Sequence, residues 1–203
     1  MKVAIIGGSG RAGHEISAEL ARRGHQVTAI SRHPENAIEA DGVTAVAGDV
    51  NHVDALADAI RGHDAVVSAV MFADTEPAAL VGVVRASGVP RYLVVGGAGS
   101  LEVAPGVALI DTPEFPAEYK AEASRGSDFL AYLRGVEDMD WTFLSPSAYF
   151  FVGDRKGSFR LGKDELLVDA DGKSSISYAD YAIALVDEVE KAEHSRQRFT
   201  VGY

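Results

Sequence analysis

The segment Lys2-Val-Ala-Ile-Ile-Gly-Gly-Ser-Gly-Arg-Ala-Gly13 constrains this chain more than any other. A short apolar run of buried-strand type stops in clustered glycines and passes straight into a helical pattern. That succession is the opening of a βαβ unit that binds a dinucleotide. The glycines fit two registers, Gly8-x-Gly10-x-x-Gly13 and Gly7-x-x-Gly10-x-x-Gly13. One glycine permits the sharp turn off the strand, and another lets backbone N–H groups approach a pyrophosphate. Gly13 removes a side chain where the helix must pack closely on the strand. The helix start then turns unpaired N–H groups and the positive end of its dipole toward phosphate. The expected phosphate loop is Gly7, Gly8, Ser9, Gly10, Arg11, Ala12 and Gly13.

Downstream, apolar runs alternate with helical patterns. Strands are expected at Val3–Ile6, Gln26–Ile30, Val43–Ala47, Ala65–Val70, Tyr92–Val95 and Thr142–Leu144. Helices are expected at Arg11–Arg23, from an N-cap at Asn51 to Gly62, from Pro77 to Gly88, and over Pro116–Leu133. Strands rich in Val, Ile and Ala on both faces belong to a parallel sheet covered by helices on each side. The fold class is therefore α/β, a doubly wound parallel sheet or Rossmann fold, as one domain over residues 1–203. After Pro146 aromatic residues lie among short strand-like pieces, and 146–177 reads as a small C-terminal appendage on the substrate side. A helix over Tyr178–Glu193 and a strand over Phe199–Tyr203 close the chain.

The excess of 30 acidic over 19 basic residues, net −11, argues against nucleic acid and against an anionic membrane surface as partners. With no cysteine there is no disulfide, thiolate metal site or cysteine nucleophile. The N-terminal apolar run is too short for a signal peptide, and no run reaches the length of a membrane span. A cytoplasmic location is the expectation. The six histidines lack metal-site spacing, so no metal is assigned. Asp54, Asp58 and Glu188 read as parts of solvated helix faces.

The end of the second strand selects the cofactor. A binder specific for NAD places a carboxylate there, about 20 residues past the glycines. This chain has Ile30-Ser31-Arg32-His33 instead. A hydroxyl and a guanidinium suit a ribose 2′-phosphate, so NADP(H) is expected to be preferred over NAD(H). Arg11 would add a second positive charge; the plainer alternative is that Arg32 is an exposed loop arginine. Gly48-Asp49-Val50 falls where adenine would lie, with Asp49 accepting from its amino group or capping the next helix. Ala69, Val70 and Met71 supply small residues and backbone beside the nicotinamide ribose.

With Ser31-Arg32, Gly48-Asp49-Val50, Val94-Val-Gly-Gly-Ala-Gly-Ser100, Trp141-Thr-Phe-Leu-Ser-Pro146 and Ile176-Ser-Tyr-Ala-Asp-Tyr181 in this order, the chain resembles the atypical short-chain dehydrogenase/reductases called NAD(P)H-binding or NmrA-like. Within that group it is most similar to proteins assigned as NADH-flavin reductases and related to biliverdin reductase B. The resemblance implies cofactor contacts at Gly97 and at Pro146, Ser147 and Ala148. It also places Ser100 where ordinary short-chain dehydrogenases carry a catalytic serine. Those enzymes continue with Tyr-x-x-x-Lys, whose lysine lowers the tyrosine pKa. Here Tyr119 is followed at once by Lys120, and Ala123 stands at the +4 position. Neighbours on a helix diverge by about 100°, so Tyr119 and Lys120 do not form that dyad.

Hydride transfer to a flat, electron-poor acceptor needs no such acid. The expectation is an NADPH-dependent reductase of a flavin or quinone, with FMN or FAD as a candidate acceptor. Ser100 and Tyr119 are the candidate catalytic residues, against a loop-capping serine and a surface tyrosine. Tyr149, Phe150 and Phe151 are candidates for an apolar acceptor wall, against a place in the core. The rival reading is an NADP(H)-binding redox sensor of the NmrA type that reports to a protein partner or acts as a homodimer. Epimerase work on a nucleotide sugar ranks last, because the C-terminal part leaves little room for such a substrate.

Overall fold

Strand β1 (Lys2–Ile6) shows how the two cores arise. Ala4 and Ile6 face one of them and Val3 and Ile5 the other, all without appreciable exposure. The computed structural model describes every residue from Met1 to Tyr203. After β1 come α1 (Arg11–Arg22), β2 (Gln26–Ser31), β3 (Val43–Ala47), α2 (Val53–Ile60), β4 (Ala65–Ser68), α3 (Pro77–Ser87) and β5 (Arg91–Val95). The second half adds a hairpin of β6 (Glu102–Ala104) and β7 (Val107–Ala108), then α4 (Lys120–Arg134) and β8 (Asp140–Pro146). Three short strands follow, β9 (Tyr149–Phe151), β10 (Arg160–Gly162) and β11 (Ser175–Ser177), before α5 (Tyr178–Lys191) and β12 (Gln197–Gly202).

The main sheet has the order β3-β2-β1-β4-β5-β8-β12-β10, parallel throughout except for β10. Helices α2, α3 and α4 cover one face through Leu56, Ile60, Leu80, Phe129 and Leu133. The other face is covered by Ile16 and Leu20 of α1 and by Leu185 and Val189 of α5. Each such side chain contributes about 1.5–3 kcal/mol on burial, so the two apolar layers hold the strands in register. From β1 the chain winds outward through β2 and β3, then returns to β4 and winds the other way. The crevice beyond the carboxyl ends of β1 and β4 is therefore the topological switch point, where open α/β sheets bind ligands.

The doubly wound sheet matches the expectation, and several local details differ. The helix expected from Pro116 begins only at Lys120, because residues Ala117–Tyr119 form a 3-10 turn. The strand expected at Thr142–Leu144 extends over Asp140–Pro146, drawn out by pairing with β5 from Arg91↔Asp140 to Val95↔Leu144. The strand expected to reach Val70 stops at Ser68. Hairpin β6–β7 was not foreseen. Of the segment 146–177, β9 and β11 form their own parallel pair, whereas β10 joins the edge of the main sheet against β12. Between them a strap over 152–159 is tied down by buried Asp180, which accepts from the N–H groups of Lys156 and Gly157 and from the Tyr203 hydroxyl.

Glu188 corrects its expected place on a solvated face. It is 3 % exposed, and its carboxylate accepts from Arg91 Nη2 at 2.5 Å, His194 N at 2.9 Å and His194 Nδ1 at 2.7 Å. The return of the chain from α5 into β12 covers that side of the helix end. A carboxylate buried there needs these partners to offset its desolvation. Asp54 and Asp58 do lie exposed on α2.

Candidate functional site

The turn after β1 is built by glycines with no room for a side chain. Gly7 has φ +90°, and a Cβ on it would stand 2.4 Å from the Ala69 carbonyl oxygen. The N–H groups of Gly7 and Gly8 both donate to the Ile30 carbonyl, at 2.8 and 3.1 Å, which fastens the turn to β2. At Gly13 a Cβ would meet the Gly7 carbonyl oxygen at 2.2 Å and the Gly8 Cα at 2.9 Å. Helix α1 thus packs on the turn itself, where the sequence suggested the strand. Gly10 precedes the helix and brings no capping side chain, so the N-terminal dipole faces the crevice uncapped.

That crevice is an open cleft with a cavity volume of about 240 Å³. Its floor is Gly7, Ser9 and Gly10. One wall carries Ser31, Arg32 and His33 from the end of β2, with Asp49 and Val50 from the end of β3. The other carries Ala69, Val70 and Met71, then Asp74 and Thr75, from the loop after β4. Ten residues singled out from the sequence thus come together in one place. Gly8 and Gly13 serve packing beneath it, Ala12 lies in α1, and Arg11 projects to solvent outside the lining.

The polar groups of this cleft are unevenly satisfied. Arg32 is exposed and makes no ion pair, and no carboxylate takes its place at the end of β2. Ser31 is 8 % exposed, yet its hydroxyl has no hydrogen-bond partner in the protein. Asp49 Oδ1 accepts from Asn51 N and Asn51 Nδ2, both at 2.9 Å. The hydrogen bond from the Asn51 backbone, opposed by desolvation, holds the Asp49 carboxyl below the usual range; the Asn51 side chain, His52 and Arg32 add to the lowering. Asn51 is not the helix cap expected of it: His52 occupies that position, without a side-chain cap. A glycine cradle, an uncapped helix start, a free guanidinium and an unpartnered hydroxyl beside it are a donor set that fits a phosphorylated dinucleotide.

The residues expected nearer the hydride end are placed less simply. Gly97 is half-buried beyond β5, and a Cβ on it would meet only the Phe72 ring, at 3.9 Å. Ser100 lies outside the cleft lining, and its hydroxyl faces the buried guanidinium of Arg198 at 3.4 Å. Arg198 also holds Asp164 at 2.5 Å and Ser145 Oγ at 3.2 Å. Pro146 and Ser147 are buried, the Ser147 hydroxyl donating to the Val201 carbonyl at 3.0 Å, while Ala148 is exposed. Tyr119 is 62 % exposed at the start of α4, and its phenol makes no hydrogen bond. One turn further on, Glu122 accepts from the N–H groups of Phe72 and Ala73, each at 2.7 Å. Ala123 packs against Gly99, where a Cβ would come within 2.8 Å of its own. The leading turn of α4 is thus docked on the loops after both β4 and β5, with an alanine where a lysine would complete the dyad.

The aromatic triplet divides by strand alternation. Phe150 turns inward between Tyr178 and Tyr181, at ring separations of 3.9 and 4.8 Å. Tyr149 and Phe151 stack on the opposite face at 5.0 Å, and Tyr149 is 66 % exposed. Among the residues lining the cleft, the expected site residues did not include Ile6, Ile30, His33, Gly48, Asn51, Asp74 and Thr75. All stand within a few residues of expected positions. The available signal was their place at the carboxyl ends of parallel strands or in the loops leaving them. No group of three or more His, Cys, Asp or Glu side chains comes together to hold a metal ion, and no helix is long and apolar enough to cross a membrane.

The family model described as NAD(P)H-binding matches residues 7–192. Three solved structures align with the whole chain. A protein from Burkholderia pseudomallei, provisionally called an exported protein, is 47 % identical with a TM-score of 0.90, and all of it is covered. One from Bacteroides thetaiotaomicron, provisionally called an epimerase, is 40 % identical with a TM-score of 0.93 and 96 % covered. A third from Streptococcus pneumoniae, provisionally called an NADH-flavin reductase, is 38 % identical with a TM-score of 0.86 and 99 % covered.

Proposed function

Because the chain belongs to the NAD(P)H-binding family, we propose that its cleft holds NADP(H) and that the protein is a reductase passing hydride to a planar acceptor such as a flavin or quinone. The observation that carries this reading is the start of α4. Ala123 occupies the position where a lysine would tune Tyr119, and Ser100 is engaged by Arg198. An alcohol–ketone conversion would lack its acid and base, whereas a flavin takes hydride at nitrogen and its proton from solvent. The reduced nicotinamide supplies the hydride. What remains for the protein is to hold two flat groups face to face and keep water from between them.

In this reading Gly7, Ser9 and Gly10 hold the pyrophosphate against the start of α1. Ser31 and Arg32 hold the 2′-phosphate, and Ala69, Val70 and Met71 flank the cofactor from the β4 side. Gly97, Pro146, Ser147 and Ala148 border the nicotinamide. Tyr149 and Phe151 offer an exposed stacked surface for the acceptor, the form in which aromatic rings bind flat ligands. The name of the Streptococcus relative refers to NADH; the preference for the phosphorylated cofactor rests on this chain's own Ser31 and Arg32. The name of the Bacteroides relative refers to epimerisation. Here the residues after β8 are taken up by a strap, an edge strand and α5, which supports a small flat acceptor over a nucleotide sugar.

The test is the initial rate of NADPH oxidation by purified protein with FMN, with NADH in parallel. Enzyme-dependent turnover that is faster with NADPH is expected. Tight NADPH binding without turnover on flavins or quinones would replace the reductase by a cofactor sensor. Failure to bind either cofactor would remove both.

A further inference from the structure

Three buried side-chain polar atoms in this protein have no hydrogen-bond partner: Arg91 Nε, Ser31 Oγ and Thr75 Oγ1. Native folds seldom leave such groups unpaired without a reason. Arg91 has its other nitrogens engaged by Asp140, Thr142 and Glu188, so its lone atom belongs to a satisfied cluster. Ser31 and Thr75 both line the cleft, from opposite walls. Ser31 has a role in the reading above, and Thr75 has none.

Thr75 is held firmly in place. Phe72, three residues earlier, is seated in the core against Phe129 and Phe143, with ring centroids at 5.3 and 6.0 Å. Glu122 pins the N–H groups of Phe72 and Ala73, and Thr75 N donates to the Phe72 carbonyl at 3.2 Å. The side chain is thus fixed at the border of the cleft, with Thr75 8 % exposed as a residue and its hydroxyl oxygen enclosed and unpaired. Its position along the cleft follows from the fold. Thr75 stands two residues before α3 and Asn51 two residues before α2; these two helices pack side by side on one face of the sheet. Thr75 and the pair Val50–Asn51 thus border the same cleft, each from a loop that leads into one of two neighbouring helices. Apolar surface there comes from Val50 and Val70, both packed on the core.

We propose that Thr75 is a cofactor-binding residue that reads the adenine ring, its hydroxyl hydrogen-bonding to the edge of a base lodged between Val50 and Val70. A hydroxyl suits that edge because it can donate to a ring nitrogen or accept from the amino group. Asp49, the residue expected in this role from the sequence, already spends Oδ1 on Asn51. The assignment rests on the proposed cofactor reading.

The experiment is the dissociation constant of NADPH, and of adenosine 2′,5′-bisphosphate, for the wild type and for Thr75→Val. Loss of one neutral hydrogen bond should weaken both ligands by about 3- to 10-fold. The melting temperature of the ligand-free variant should hold or rise, since valine fills the same volume without an unpaired hydroxyl. Thr75→Ser keeps the hydroxyl and should retain wild-type affinity. If Thr75→Val does not fold, Thr75→Ala carries the same comparison. Unchanged NADPH affinity in the variant, with the wild type binding normally, overturns the role of Thr75 and leaves the cofactor reading intact. A loss seen with NADPH but not with the bisphosphate also overturns it, because the contact would lie outside the adenosine half. No binding of either ligand by the wild type would instead refute the cofactor reading on which the assignment rests.

Discussion

The same substitution, glycine to alanine within a helix, should act in opposite directions at two positions of this protein. At an unconstrained helical site alanine is favoured by about 0.5–1 kcal/mol, because glycine loses more backbone freedom on folding. Gly82 in α3 is such a site, with nothing within 4 Å of the place a Cβ would take. Gly13 in α1 is the contrary case, since its Cβ would stand 2.2 Å from the Gly7 carbonyl oxygen. Ordinary contact begins more than an ångström further out, and the obstruction is backbone that cannot rotate aside. Overpacking of this kind costs about 1–3 kcal/mol, which exceeds the propensity gain. The expected net loss for Gly13→Ala is thus about 1–2 kcal/mol, or roughly 2–8 °C in melting temperature for a chain of this size. Gly82→Ala should gain roughly 1–4 °C on the same scale. To relieve the clash α1 must move away from the turn, which separates its N-terminus from the floor of the cleft. Losing one hydrogen bond to a charged phosphate is worth at least about 10-fold in affinity, so NADPH binding should weaken by that much in Gly13→Ala and stay unchanged in Gly82→Ala. Thermal melts and fluorescence titration with NADPH measure both quantities. Gly13→Ala with wild-type stability and affinity would refute the crowding argument, as would equal losses in the two variants.

Arg32→Ala should weaken NADPH by about 10-fold, the low end for a charge-assisted contact because the side chain is exposed, and should leave NADH within a factor of about two. Equal losses for the two cofactors would sink the phosphate-clamp assignment. Glu19 of α1 governs an acid transition. Its burial raises the carboxyl pKa, but hydrogen bonds from Arg22, Arg155 and Arg23 outweigh that and lower it from 4.5 to about 2. The folded value lies below the unfolded one, so the stabilisation is complete above the unfolded pKa and is lost as pH falls through the folded one. Glu19→Gln should therefore reduce stability by on the order of 2 kcal/mol at pH 7, after allowance for the solvent-exposed Arg22 and Arg155, and by progressively less toward pH 2. Urea denaturation of both proteins at pH 7, 4 and 2.5 decides it: a constant difference across that range would show that the carboxylate is not the group responsible.

The order of elements was legible because each strand of a doubly wound sheet carries its own evidence. Val3–Ile6, Ala65–Val67 and Tyr92–Val94 are apolar on both faces, and only a sheet covered twice buries such runs. Turn residues fixed the ends of α1 and α3. Boundaries failed where a partner distant in sequence set them, as when pairing with β5 drew β8 out to Asp140. The glycine turn after β1 and the end of β2 were legible for a local reason: the residues that shape them lie within a few positions of one another.

Long-range burial was what the sequence concealed. Glu188 looks like part of a solvated face from its neighbours in α5, but Arg91, 97 positions away, and the turn into β12 enclose it. Ser100 has the right place after β5 for catalysis, and only the folded chain brings Arg198 to its hydroxyl across 98 positions. Tyr119 is the instructive contrast. Its spacing to Lys120 and Ala123 is local and readable without the fold; the structure adds that Ala123 is packed on Gly99. Thr75 lies between these cases. Nothing in its neighbours marks it, and its significance comes from a deficit, a hydroxyl held rigid and unpaired by Phe72 and Glu122. Residues whose role depends on what they touch in the fold are invisible to pattern; those whose role depends on backbone geometry are not. This chain therefore displays the glycine turn after β1 openly in the sequence. The groups that would distinguish one base from another emerge only where the loops after β3 and β4 meet along the cleft.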